Sequence, residues 1–249
     1  MEIITFGSGV RLELCRRALS RCVLSPLERL IVLPVPSAGA QGCIKGTDIP
    51  LSEAVRLSGK GSAVAGYGLP SELCKELFAE GAAVYDAAED EEFLLENARL
   101  TANAALGHIL SDFKTDVSEM KVAIVGYGRI GSYLVKELLF LGASVTVFTT
   151  RRSVAEGLCS AGVSAREVSD DGGFSGFDLV INTAPARLFS EDTAGISDRT
   201  VYDLASGNFL PPFSNIKKLS ALPEKNYPET AGRHYAKGIM RAFGLGVRG

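Results

Sequence analysis

Short apolar runs alternate with amphipathic stretches along the first third of the chain. The runs lie at 2–6, 30–34, 62–66 and 82–85, and the segments between them have the spacing of helices. This β-α-β-α alternation is typical of a parallel sheet with helices on its faces. We therefore predict a small α/β domain over residues 1–95.

The same alternation resumes more strongly in the second half of the chain. Six apolar runs follow one another at 121–125, 144–148, 164–168, 178–182, 200–204 and 217–221. Six strands separated by helices are the pattern of a doubly wound sheet that binds nucleotides. The predicted fold class is therefore α/β, a doubly wound parallel sheet (Rossmann) over residues 96–249 with a second, smaller α/β domain before it.

Two longer helices are predicted outside this alternation. Residues 89–113 begin with acidic side chains and repeat apolar positions at helical spacing, so we expect a helix that links the two domains. Residues 228–243 start with a proline, which suits an early helical position, and form an apolar face. We expect them to form a closing helix of the second domain.

Composition and charge exclude several classes of protein. Of the 249 residues, 46% are hydrophobic and 22% are charged, so disordered and fibrous architectures are poor explanations. A formal net charge of −3 gives no overall positive field to attract a polyanion, so we expect no nucleic-acid partner. The chain starts without a secretion signal and has no run of about 18 apolar residues, so we expect a soluble, cytoplasmic protein with no membrane partner. Its five cysteines form no pattern typical of a disulfide framework or a metal site.

The most specific motif is a glycine-rich turn that follows the predicted strand 121–125 and opens an amphipathic helix. It consists of Gly126, Tyr127, Gly128, Arg129, Ile130 and Gly131. The first glycine permits a tight turn, the second lets the backbone approach a diphosphate, and the third lets helix and strand pack closely. The N–H groups and the dipole at the helix start favour negative charge. The turn predicts a dinucleotide site, and the alternative is a purely structural glycine turn.

The end of the next strand indicates which nicotinamide coenzyme is preferred. Sites for NAD usually have an acidic residue there, which accepts hydrogen bonds from the ribose hydroxyls. This chain has Thr149, Thr150, Arg151 and Arg152 instead. Arginine pairs bidentately with phosphate oxygens, so NADP, with its 2′-phosphate, is favoured over NAD. The alternative is that the two arginines are solvated surface residues.

Two further loops follow strands at the sheet edge where ligands of this fold bind. One consists of Asn182, Thr183, Ala184 and Pro185, and the other runs from Asp203 to Gly207 and includes Ser206. We predict that both loops line the cofactor or substrate cleft. Because these residue types are common in turns, ordinary loop chemistry is the alternative.

Several of these segments together resemble the A subunit of dipicolinate synthase, a dehydrogenase of spore-forming bacteria that makes pyridine-2,6-dicarboxylate. The resemblance is nearly continuous from about residue 90. The matching pieces occur in order and are Leu33-Pro34-Val35, Ser37-Ala38-Gly39, Asn97, Thr101, the glycine-rich turn with Val125 before it, Leu141-Gly142-Ala143, Ile181-Asn182-Thr183, Asp203-Leu204-Ala205-Ser206 and Thr230-Ala231-Gly232.

The resemblance implies an NADP-dependent oxidation of a reduced pyridine dicarboxylate precursor during sporulation. It also implies that the dicarboxylate lies between the two domains and that a flavoprotein-like B subunit is a partner, and a homodimer is compatible with it. The chain departs from the family in a shorter first domain, between Cys22 and Leu30, and in Asn103, where the family tends to have Glu. An amide cannot transfer a proton as a carboxyl group does.

Hydride transfer is the chemistry of the cofactor, so the protein must chiefly position the substrate and exclude water. On the substrate side, the candidates are Thr101 and the backbone N–H groups of Ser37, Ala38 and Gly39. Candidate catalytic residues are Asn103, Ser206 and His234, and candidate partners of a dicarboxylate are Arg99, Arg187 and Arg233.

Two rival hypotheses stay open. One is a regulatory or assembly protein that kept the nucleotide-binding turn and lost turnover, which Asn103 and the shortened first domain favour. The other is a dehydrogenase of the 2-hydroxyacid type, although its usual Arg, Glu and His cannot be placed in this sequence.

Overall fold

A computed structural model describes residues 1–22, 25–168, 173–186, 193, 195–207, 210 and 215–246 of the chain. Two compact units are present, and the first combines the N-terminal residues up to Asn97 with the segment from Pro223 onwards. The second unit runs from Ala98 to Leu222.

The first unit is built on a sheet of four parallel strands in the order β1-β2-β3-β4. Its N-terminal elements are β1 (Glu2–Thr5), α1 (Val10–Leu19), β2 (Arg29–Val32), α2 (Ser52–Arg56), β3 (Ser62–Gly66), α3 (Ser71–Ala79) and β4 (Ala83–Asp86). The central strands bury side chains on both faces, since Leu30 and Val32 join one apolar cluster while Ile31 and Val64 join another. Alternate residues of a strand point to opposite faces, and parallel sheets are covered on both.

The long helix α4 (Glu91–Asp112) begins in the first unit and ends in the second. The second unit then has six parallel strands in the order β10-β9-β8-β5-β6-β7. Its elements are β5 (Lys121–Val125), α5 (Arg129–Phe140), β6 (Ser144–Thr149), α6 (Arg152–Ser160), β7 (Ser164–Glu167), β8 (Leu179–Asn182), β9 (Thr200–Asp203) and β10 (Ile216–Lys218). Counted from β5, this is the strand order of a doubly wound dinucleotide-binding sheet.

The closing helix does not belong to the unit that we predicted for it. The last helices are α7 (Leu222–Asn226) and α8 (Pro228–Phe243), and α8 packs on α1 in the first unit. Tyr235 of α8 is fully buried in the first core, and its hydroxyl donates to the carbonyl of Leu33 at 3.0 Å. A Cβ at Gly232 would lie 2.9 Å from the carbonyl oxygen of Arg11, so glycine lets the two helices approach closely. Packing on α1, and not chain order, therefore places α8 in the first unit.

The predicted strands coincide with the observed ones to within two residues, except the last. That strand was predicted over 217–221 and spans Ile216–Lys218. Within the described residues, no helix combines the length and the apolar character that a membrane span requires.

Candidate functional site

The glycine-rich turn between β5 and α5 is shaped by two close backbone contacts. Gly126 has a φ of 95°, a left-handed conformation that favours glycine. A Cβ on Gly131 would lie 2.3 Å from the carbonyl oxygen of Gly126, so only glycine fits there. Together these two residues bring the start of α5 against the end of β5.

The outer side of the turn is open. A Cβ on Gly128 would meet nothing within 4 Å, and Gly128 caps α5 without a side-chain hydrogen bond. The first helical bond of α5 runs from the N–H of Ser132 to Gly128 at 2.9 Å, so the N–H groups of Ile130 and Gly131 have no acceptor within their helix. An uncapped helix start beside open space fits the diphosphate of a dinucleotide. Arg129 is exposed, whereas Tyr127 and Ile130 pack against the core.

The end of β6 presents two exposed arginines. Thr149 is buried, and its hydroxyl accepts the N–H of Arg151 at 3.2 Å, while Thr150 is exposed. Arg152 begins α6 and pairs with the exposed Glu156 at 2.9 Å. Exposed pairs of this kind contribute roughly 1 kcal/mol or less, so Arg152 can exchange this partner for a phosphate.

The loop after β8 is held by its own side chains. The buried Asn182 donates to Asp203 at 2.9 Å and accepts the N–H of Ala184 at 3.2 Å. The hydroxyl of Thr183 donates to the carbonyl of Val125 at 3.0 Å. Both side chains therefore fix the loop beside the glycine-rich turn, and Pro185 is exposed at its end.

A lysine that we did not predict completes this edge of the sheet. Lys218, at the end of β10, donates to the buried carboxylate of Asp203 at 2.6 Å and to the carbonyl of Ala205 at 2.6 Å. It also donates to the carbonyl of Gly207. The exposed Ser206 lies on the loop that these bonds hold. The sequence signal for this contact is that Asp203 and Lys218 lie at the ends of two successive strands.

The loop at 37–39 does not offer its backbone to a carboxylate as we expected. The N–H of Ser37 already donates to Tyr67 at 3.0 Å, and the N–H of Gly39 donates to Cys43 at 2.9 Å. Ser37 is buried, and its hydroxyl is likewise engaged with backbone groups of Pro34 and Tyr67. Ala38 forms a bridge with Ile44. The expectation was wrong for Ser37 and Gly39, because the carbonyl of Tyr67, after β3, and that of Cys43 already accept from these donors.

The three candidates on α4, Arg99, Thr101 and Asn103, lie in the second unit. Thr101 is buried. The amide orientation of Asn103 that satisfies its neighbours places Nδ2 2.8 Å from Glu137 Oε1 and 3.2 Å from the carbonyl oxygen of Arg99. Burial raises the pKa of Glu137, although the charge of Arg99 opposes this. Asn103 thus joins α4 to α5, and its catalytic role stays a prediction.

His234 lies on α8 and faces α4 within the first unit. Its Nδ1 is 3.4 Å from Glu96 Oε2, and Lys237 Nζ is 3.5 Å from the other oxygen of the same carboxylate. Arg233 is exposed and pairs with Glu229 at 3.7 Å, whereas Arg187 lies outside the described residues. The roles of these residues in catalysis or substrate binding stay predictions.

No three His, Cys, Asp or Glu side chains are grouped as metal ligands in the part of the chain that the structure describes. The open turn, the arginines after β6 and the loops after β8 and β9 all lie at carboxyl ends of strands in one sheet. Ligands of doubly wound folds bind at this edge.

No family model matches this chain. Two solved structures are similar to it over almost their full lengths. The A subunit of dipicolinate synthase from Bacillus halodurans has a TM-score of 0.76 and 18% identity, covering 97% of each chain. The A chain of dipicolinate synthase from Bacillus subtilis has a TM-score of 0.76 and 16% identity, covering 97% of this chain and 95% of its own. The predicted fold class is confirmed, and the resemblance to these proteins holds at the level of the fold.

A curated sequence relative matches a shorter part of the chain. The NAD-dependent L-serine dehydrogenase of Pseudomonas aeruginosa is 31% identical over 101 residues, which are 41% of this chain. The match covers 34% of that protein, so the chain spans about a third of the length of this relative.

Proposed function

We propose that this chain is a nicotinamide-dependent dehydrogenase of the Rossmann type. The observation that carries the proposal is the glycine-rich turn, where Gly131 packs against Gly126 while the space outside Gly128 stays open. The likeness in fold to the A subunit of dipicolinate synthase and the sequence match to an NAD-dependent dehydrogenase support it.

The residues of the second unit would hold the cofactor by its diphosphate, at the N–H groups that open α5. When bound, the nicotinamide supplies the hydride chemistry. Asn182, Asp203 and Lys218 keep the neighbouring loops in one arrangement through buried hydrogen bonds. Rigid support of this kind aligns a cofactor with a substrate carbon.

The finer proposal is an NADP-dependent oxidation of a reduced pyridine dicarboxylate precursor to dipicolinate, in partnership with a flavoprotein-like B subunit. The ordered set of matching loops and the full-length likeness in fold support the substrate class. The exposed guanidinium groups of Arg151 and Arg152 at the end of β6 support NADP over NAD. A cytoplasmic setting, a role in sporulation and a homodimer belong to the same proposal.

The cofactor preference is tested by calorimetry with NADP and NAD on the full chain and on the Arg151→Ala/Arg152→Ala double variant. We expect the double variant to lose about tenfold to hundredfold in NADP affinity and little in NAD affinity, because only NADP carries the additional phosphate. Lys121→Ala, at the amino end of β5, is the matched control for lost positive charge. Equal losses for both coenzymes would exclude the preference, and no binding of either would exclude the dehydrogenase.

One observation favours a second candidate, a nucleotide-binding protein without turnover. Position 103 is an asparagine, which cannot transfer a proton as a carboxyl group does, and its amide is engaged with Glu137 between two helices. Incubation with NADP and freshly prepared dihydrodipicolinate, with and without a B-type partner, separates the two. Formation of NADPH supports the dehydrogenase, and cofactor binding without NADPH in both mixtures supports the second candidate.

A further inference from the structure

A cavity of about 100 Å³ opens in the first unit at the start of α1. A water molecule occupies about 30 Å³ in the liquid, so the cavity has room for a carboxylate and adjoining atoms of a small organic acid. It is lined by Ser8, Arg11, Leu12, Pro34, Val35, Lys45, Gly46, Glu224 and Tyr235.

Arg11 is the unusual member of this lining. It is only 6% exposed, and its Nη2 donates to Asn97 Oδ1 at 3.0 Å. Its Nε is buried and has no hydrogen-bond partner. Burial lowers the pKa of Arg11, which reflects the cost of keeping this charge away from water. Buried charges are normally paired, so a buried guanidinium that lines a cavity and has no carboxylate partner among the described residues fits an anion there.

The surrounding charges also favour an anion. Lys45 is half-buried, and its Nζ contacts the carbonyl of Val35 at 3.4 Å, which leaves further N–H donors. Glu224 is the carboxylate in the lining, and its charge favours the charged form of Arg11. Among the described residues no carboxylate forms an ion pair with Arg11. The cavity therefore combines two cations with one acid.

We infer that this cavity binds the carboxylate group of a small organic acid, with the guanidinium of Arg11 and Lys45 Nζ as donors. A guanidinium held in one plane by Asn97 matches the flat geometry of a carboxylate. The positive end of the α1 dipole adds to the attraction. That the acid is the substrate of the enzyme rests on the proposed function, whereas the binding site itself does not.

The test is calorimetry with the full chain and pyridine-2,6-dicarboxylate, with pyridine-2,6-dicarboxamide and inorganic phosphate as comparison ligands. We expect the dicarboxylate to bind and the uncharged diamide to fail. Arg11→Met and Lys45→Met should each weaken dicarboxylate binding by roughly tenfold or more, because each removes a charged donor. Arg17→Met, an exposed arginine of the same helix, is the matched control and should change nothing.

A further variant keeps the test decisive if Arg11→Met fails to fold. Ser8 is exposed and lines the cavity, so Ser8→Asp adds a competing carboxylate without disturbing the core. We expect it to weaken dicarboxylate binding about as much as Lys45→Met does. Unchanged affinity in both variants would overturn the inference, and so would diamide or phosphate binding as tight as that of the dicarboxylate.

Titration of NADP and NAD into the same samples separates this inference from the proposed function. Cofactor binding without dicarboxylate binding would remove the carboxylate site and leave the dehydrogenase intact. Dicarboxylate binding that depends on Arg11 and Lys45, without binding of either coenzyme, would support the site and remove the dehydrogenase.

Discussion

Each of the two units has a glycine-containing turn between its first strand and the helix that follows. The turn between β1 and α1 contains Gly7 and Gly9 and leads to the buried Arg11, whose side chain lines a small cavity. The turn between β5 and α5 leaves open space outside Gly128, next to backbone N–H groups that have no acceptor within α5. The same topology can thus present a side-chain charge for a carboxylate or backbone amides for a diphosphate.

Each unit also has a buried charged side chain, and the two differ in whether their hydrogen bonds are satisfied. Asp203 in the second unit is met by Asn182 and Lys218 at 2.9 and 2.6 Å, so its hydrogen bonds are satisfied within the protein. Arg11 in the first unit keeps a buried donor without a partner. A satisfied buried charge stabilises a loop, whereas an open one indicates a ligand.

The largest effect is expected at the second turn, with Gly131→Ala. The added Cβ would lie 2.3 Å from the carbonyl oxygen of Gly126, so the turn must shift. We expect a loss of about 1–3 kcal/mol in the free energy of unfolding and of more than roughly a hundredfold in NADP affinity by calorimetry. Gly128→Ala is the matched variant in open space, and it should weaken NADP binding while stability changes by less than about 0.5 kcal/mol. Normal NADP affinity in Gly131→Ala would remove the distinction between the turns.

The next largest effect is expected at α8, the C-terminal helix that packs on α1 in the first unit. Gly232→Ala would place a Cβ 2.7 Å from that of Leu14 and push α8 away from α1. We expect a loss of about 1–3 kcal/mol in urea unfolding, and reduced hydrogen-exchange protection in α1.

Gly157→Ala, in α6, is the control for this variant, since its Cβ would meet nothing within 4 Å. Alanine is the better helix former, so this change should be neutral or stabilising by up to about 1 kcal/mol. If both variants lost the same stability, the close packing of α8 would not be the cause.

The strands and the glycine-rich turn could be predicted because their signals are local. The buried run 121–125 and the glycines after it fix a strand, a tight turn and a helix start without reference to distant residues. The place of α8 could not be predicted, because an apolar helix face does not specify its partner, and the close approach of Gly232 to α1 is a tertiary contact.

The same reason explains the other misses. The N–H of Ser37 is occupied by the carbonyl of Tyr67, which lies after β3 and which no local pattern reveals. Lys218 meets Asp203 because β10 pairs with β9, and Arg11 meets Asn97 of α4 across the first unit. Side-chain partners across the sheet or across helices depend on packing, and sequence alone does not supply it.

A smaller effect is expected when the satisfied charge of the second unit loses its partner. Lys218→Met leaves the buried carboxylate of Asp203 without its cation. Because the Lys218 side chain is itself 35% exposed, water compensates in part, and we expect a loss of about 1–2 kcal/mol in urea unfolding. Lys121→Met, at the amino end of β5, is the control, and its free energy of unfolding should be within about 0.5 kcal/mol of that of the parent. If Lys218→Met left the free energy of unfolding unchanged, Asp203 would need no partner, and the contrast with Arg11 would be weaker.

The smallest effect is expected from Glu137→Gln on α5, a half-buried acid of this unit. Burial raises the pKa of Glu137 above its ordinary value of 4.5, so the folded protein holds this proton more tightly than the unfolded chain does. Stability from this group is therefore present below pH 4.5 and is lost as the pH rises through the raised pKa. Glutamine keeps the acceptor for Asn103 and does not titrate, so the variant should be the more stable protein at pH 7, by a few degrees or less in Tm.

The measurement is the difference in Tm between parent and variant at pH 4 and at pH 7. We expect the difference at pH 7 to shrink towards zero at pH 4, where the parent carboxyl group is protonated as well. Glu156→Gln on α6 is the control, because its side chain is 64% exposed and lacks the burial that raises the pKa of Glu137. A difference that stays constant with pH would show that hydrogen bonding to Asn103, and not burial of the charge, sets the contribution of Glu137. The partly buried charge of Glu137 would then need no compensation, and the unpaired Nε of Arg11 would distinguish the first unit more sharply.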